Sequence, residues 1–155
     1  MVHTVRQFFK KYVMSSPGNS EKVSEHSLQI ATAALLIEMM RADSETKDNE
    51  RNAVTNNLRS RFRLSEEETT AIIKFAEDAI QKATGYYEFT SLINKELSQA
   101  EKVKIIEQLW EIAFSDSLLD KYEEHMVRKI ANLIHVSHKD FIDAKLRARK
   151  RILGV

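Results

Sequence analysis

Seven carboxylates stand in a pattern that could do chemistry. Glu38, Asp43 and Glu50 read E-x4-D-S-x5-E, and Glu111, Asp116 and Glu123 repeat that spacing. Asp120 adds a further acid to the second stretch, where Lys47 stands in the first. Carboxylate oxygens are hard ligands, so a turn gathering three of them between helices can hold Ca²⁺, Mg²⁺ or a similar divalent cation. Two copies could form two sites or share one. Glu38 and Glu111 lie in the most apolar segments, where isolated burial of a charge costs several kcal/mol. Each must therefore sit at the margin, pair with a cation such as Arg41, Arg51 or Arg128, carry a proton, or bind metal. A purely structural reading stays open beside the metal one. Glu123 falls at the third helical position after Asp120, a capping-box place, and Asp43 and Asp116 suit hydrogen bonds to turn backbone.

Other catalytic patterns are missing. Neither acidic turn is an EF-hand loop: counting from Asp43, position six is Asp48 and position twelve Val54, and counting from Asp116 they are Lys121 and Val127. No Glu-x-x-His pair, His-Glu-x-x-His motif or nucleophile elbow occurs, and three glycines cannot build a phosphate-cradling loop. The chain has no cysteine, which excludes disulfides, thiolate metal sites and thiol chemistry. His135 and His138 straddle a predicted helix break and read as surface or capping residues. Trp110 shares an apolar face with Ile106, Leu109 and Ala113 and reads as core. The run Lys145, Arg147, Arg149, Lys150 and Arg151 could meet phosphates, but basic residues also belong at a helix C-terminus. The chain reads as a binding or scaffolding protein rather than an enzyme. A carboxylate-metal hydrolase is the weakest alternative, since no nucleophile or base accompanies the acids.

The elements that must position these acids are helices. The chain has 155 residues, a net charge of +1, three glycines and one proline. Few turn residues in a chain of this length favour long helices with short connections, in one all-α domain. The balanced charge points to no nucleic-acid partner. Residues 3–14 form a short amphipathic arm, which either packs on the domain or offers a basic, aromatic face to a membrane or partner; Ser15-Ser16-Pro17-Gly18-Asn19 links it onward. Residues 1–20 thus form an arm and linker, and residues 21–155 the domain. Residues 24–41 are apolar nearly all round and belong at the centre of a bundle. Further helices are predicted over 48–62, 65–83, 88–97, 98–114, 120–134 and 137–152, with capping boxes at Ser65–Glu68 and Ser98–Glu101 and a cap at Ser137. That gives a bundle of seven to eight helices without strands. No segment is long and apolar enough to cross a bilayer, and no signal peptide is evident, so a cytoplasmic location is expected.

The two acidic stretches match beyond their acids. In LLIEMMRADSETKDNERNAV from Leu35 and QLWEIAFSDSLLDKYEEHMV from Gln108, Leu36 meets Leu109 and Val54 meets Val127. With a one-residue gap, Phe62-Arg63-Leu64-Ser65 then aligns with Ile134-His135-Val136-Ser137. This pattern predicts an internal pseudo-twofold duplication.

The stretch LWEIAFSDSLLDKYEEHMVRKIANLIHVSHKDFIDAKLRA resembles the second half of TerB-like proteins, the tellurite resistance protein B family, and ALLIEMMRADSETKDNERNAVTNNLRSRFRLSEEE resembles the first. The similarity runs over residues 23–149. It implies an all-helical fold shared with the N-terminal region of a membrane-anchored J-protein. It further implies a non-enzymatic role in tellurite resistance or stress, divalent metal binding, and membrane-associated protein partners at the inner membrane face. Asp43, Glu50, Asp116 and Glu123 match the family's acidic positions, and Asp120 its second aspartate. Lys47 departs from that pattern, and Ser44 and Ser117 replace the family's glycine. Without cysteine, the chain cannot reduce tellurite with a thiol of its own.

Overall fold

A computed structural model describes residues 4–14, 23–42, 47–81, 85–115 and 123–155. Asp43, Asp116 and Asp120 lie outside the described residues; for Glu123 the backbone is described and the side chain is not. The elements are α1 (Thr4–Phe8), running on into a π-helical turn (Phe9–Val13), then α2 (Glu25–Ala42), α3 (Asp48–Phe62), α4 (Glu66–Gln81), α5 (Gly85–Glu96), α6 (Gln99–Ser115), α7 (Glu123–Leu133) and α8 (His138–Leu153). Among the described residues there is no strand, as the lack of period-2 alternation predicts. The fifth helix begins at Gly85, three residues ahead of the expected Glu88.

α2 is the hub. Ile30, Ala31, Ala33, Ala34, Leu35, Leu36, Ile37, Met39 and Met40 are all buried, so the helix is covered on every side. It packs against α3, α4, α6 and α7. The Thr32 hydroxyl lies 2.7 Å from both the Leu28 carbonyl and the Gln108 amide, tying α2 to α6 inside the core. α6 buries Ile105, Ile106, Leu109, Trp110 and Ile112, and α8 lies along it with Phe141, Ala144 and Ala148. The two alanines let the helix backbones approach closely, while Trp110 meets Phe141 edge-on at 5.4 Å.

The N-terminal arm packs on the domain. Val5, Phe8, Phe9 and Val13 are buried, and Phe8 stacks on Phe75 at 4.7 Å while Phe9 meets Phe89 at 5.8 Å. Its aromatic face is spent on the core, which is the packed alternative of the two the sequence left open.

Local chemistry explains the helix ends. Ser65 Oγ accepts from Glu68 N–H and Glu68 accepts from Ser65 N–H; Ser98 and Glu101 do the same. Ser137 Oγ accepts from Asp140 N–H at 3.1 Å. α3 and α7 stop in the same way. Arg63 (φ 53°) and His135 (φ 60°) adopt the left-handed conformation. The next amide then bonds back five residues, Leu64 N–H to Arg59 O at 3.0 Å and Val136 N–H to Ala131 O at 2.9 Å. Both are Schellman motifs with a side chain where glycine is usual.

Candidate acidic sites

Glu38 sits one turn before the end of α2, 1 % exposed. Neither carboxylate oxygen has a hydrogen-bond partner among the described residues. Burial pushes its pKa up to about 8. The C-terminus of α2 makes a negative charge still less welcome, because its last carbonyls form the negative end of the helix dipole. The arginines that the sequence offers as partners are engaged elsewhere: Arg41 pairs with Glu77 at 3.6 Å, Arg51 with Asp48, and Arg128 with Glu124 at 3.4 Å. Of the four fates open to Glu38, burial removes the margin, and no ion pair is made among the described residues; there, a proton or a metal cation remains.

Glu111, at the matching position in α6, has a different environment. It is ion-paired with Arg151 of α8. One turn earlier, buried Glu107 takes Arg147 and Arg151, each at 2.8 Å. Burial works to raise the Glu107 carboxyl, but the hydrogen bonds from both arginines outweigh it and hold the group below its usual pKa. This cluster was not singled out from the sequence. Its signal was there: Glu107 and Glu111 lie four apart on one face of α6, and Arg147 and Arg151 lie four apart on α8. Glu111 also lines a polar cleft of about 430 Å³ with Gln29, Asn57, Ser60, Arg61 and Arg63.

Glu50 does helix-terminal work. Its Oε1 accepts the Lys47 N–H at 3.0 Å, half of a capping box whose other half lysine cannot supply, having no acceptor. Among the described residues, no group of three His, Asp or Glu side chains converges as a metal site. The other candidates resolve simply. His138 opens α8 and stacks on Phe141 at 6.2 Å, and His135 occupies the left-handed C-cap of α7. Trp110 is fully buried, stacked on Phe114 at 5.5 Å, with the Lys145 ammonium over its ring at 5.0 Å. Within the C-terminal basic run, Arg147, Arg151 and Lys145 all have acidic partners, the last being Glu124 at 3.9 Å.

No helix among the described residues is long and apolar enough to cross a membrane. No curated protein and no solved structure matches the chain. The family model for tellurite resistance protein TerB matches residues 29–146, taking in α3 to α7, nearly all of α2, half of α8 and both acidic stretches. With the all-helical fold and the paired E-x4-D-S-x5-E segments in place, the chain belongs to the TerB family.

Proposed function

We propose that this chain is a non-catalytic TerB-family binding module whose first acidic turn takes a divalent cation. The observation that carries this is Glu38, a carboxylate buried inside the hub helix without a partner among the described residues. Such a group is costly unless something compensates it. A cation near the C-terminus of α2 would be met by Glu38, by the negative helix end and by the acids that follow, Asp43 and Glu50. Glu111 already has Arg151, so the second stretch, with Asp116, Asp120 and Glu123, is the weaker site. Tellurite resistance or a stress response, protein partners, and a cytoplasmic place near the membrane belong to this reading as the biological setting. With no cysteine, the chain would act there by binding.

Calorimetry and thermal unfolding with Ca²⁺, Mg²⁺, Mn²⁺ and Zn²⁺ test the proposal. We expect a saturable heat and an upward shift in Tm with at least one ion, lost in Glu38→Gln and in Asp43→Asn and kept in Glu111→Gln. No heat and no shift with any of the four sinks it. The second reading, a structural interaction domain without metal, draws on the capping bond of Glu50 and the ion pair of Glu111. In that case Glu38 carries a proton, and Asp116→Asn with Glu123→Gln changes stability only modestly.

A further inference from the structure

We propose that the polar cleft lined by α2, α3 and α6 binds a small phosphate ester with a hydroxylated body. The cleft encloses about 430 Å³, within the size range of small-molecule sites. A bare phosphate ion fills only part of that space. The lining is polar: Gln29 of α2, Asn57, Ser60 and Arg61 of α3, Arg63 just beyond α3, and Glu111 of α6. Phe62 also borders the cleft, but its ring is buried, so it offers no open face on which a nucleobase would stack. A sugar-like body fits this lining better than a base does.

The net charge of the lining is positive. Arg147 and Arg151 balance Glu107 and Glu111, so Glu111 adds no net charge to the cleft. Arg61 and Arg63 make no ion pair among the described residues. Two guanidinium forks match a phosphate dianion in both charge and hydrogen-bond geometry. Neutral groups beside them suit hydroxyls. Gln29 Oε1 meets His26 Nδ1 at 3.2 Å, which leaves the Gln29 amide nitrogen as a donor, and Ser60 adds a hydroxyl. Arg63 is placed there at a backbone cost, since it holds the left-handed conformation (φ 53°) where glycine is usual. Basic residues near a helix C-terminus also offset the helix dipole. Arg59 can do that equally well from the last turn of α3, yet it does not line the cleft, so it separates the two roles. This inference does not depend on the cation site, and each can fail without the other.

The test is calorimetric titration of the full chain with ribose 5-phosphate, inorganic phosphate and ribose, in chelator so that no bound cation contributes. We expect saturable binding of ribose 5-phosphate, weaker binding of inorganic phosphate and none of ribose. Arg61→Gln and Arg63→Gly should each weaken ribose 5-phosphate binding about tenfold, the loss of one charge-assisted contact. Arg63→Gly should do so without lowering Tm, because glycine relieves the backbone, so lost binding there is not lost folding. Arg59→Gln should bind as wild type does. The proposal is overturned by no heat with ribose 5-phosphate, by equal affinity for inorganic phosphate, or by wild-type binding in the Arg61 and Arg63 variants. An equal loss in Arg59→Gln would also overturn it, in favour of unspecific attraction to the basic end of α3.

Discussion

The two acidic stretches share a scaffold and differ in how they treat the same glutamate. Each runs from an apolar helix through an acidic segment into a second helix. That helix stops in a Schellman motif at Arg63 or His135, and a serine then caps the next one. Yet Glu38 is enclosed without a partner among the described residues, while Glu111 is matched by Arg151 and backed by Glu107 and Arg147. The difference comes from what lies alongside. α6 has α8, whose basic face supplies arginines at the right height. α2 lies at the centre, walled by apolar side chains, and its nearby arginines turn to surface acids. An identical residue in a matched segment is thus neutralised by an ion pair in one place and left to a proton or a cation in the other.

The largest test of this contrast is pH. The Glu38 carboxyl has its pKa raised from 4.5 to about 8. Between those values the folded chain holds a proton that the unfolded chain has released, so stability falls as pH rises and levels off above pH 8. Below pH 4.5 the contribution is fully present. In chelator, we expect urea titrations to show wild type losing on the order of 3–5 kcal/mol relative to Glu38→Gln between pH 5 and pH 8. A flat difference across that range would show that Glu38 is not buried as a neutral acid. Glu107 has the opposite sign: its pKa is depressed, so its contribution is present above the unfolded value of 4.5 and is lost as pH falls through the folded one.

Next in size is the paired side. Arg147→Ala with Arg151→Ala leaves Glu107 buried and uncompensated, and should cost about 3 kcal/mol by chemical denaturation at neutral pH. Adding Glu107→Leu should restore much of that loss, because an apolar group then replaces a stranded charge. A double arginine variant as stable as wild type would mean that the cluster is surface decoration. The smallest effects test what the stretches have in common. Arg63→Gly and His135→Gly should each stabilise by about 0.5–1 kcal/mol, since glycine takes the left-handed conformation without strain. Unequal gains at the two positions would show that the shared stop is held by different forces.

Much of the fold could be read from residues alone. The all-round apolarity of residues 30–40 places α2 at the centre, and Ser65–Glu68, Ser98–Glu101 and Ser137 mark their helix starts because capping is local chemistry. The pairing of Glu111 with Arg151 was harder to read, because the two residues lie forty positions apart. Sequence favoured nearer arginines, each of which found a surface acid. The arm was ambiguous for a similar reason: an amphipathic helix shows that one face wants cover, not what covers it. Phe75 and Phe89 settle that for Phe8 and Phe9.

The sequence by itself determined the helical class, the caps, the family and the spacing of the acids, all of which follow from local periodicity and short-range hydrogen bonding. Tertiary packing decided which carboxylates are compensated. Burial and long-range partners set the electrostatic environment of an ionisable group, and these depend on which helix face meets which neighbour. Glu38 and Glu111 are the same letter in the same motif, and only the neighbouring helices make them different chemical groups.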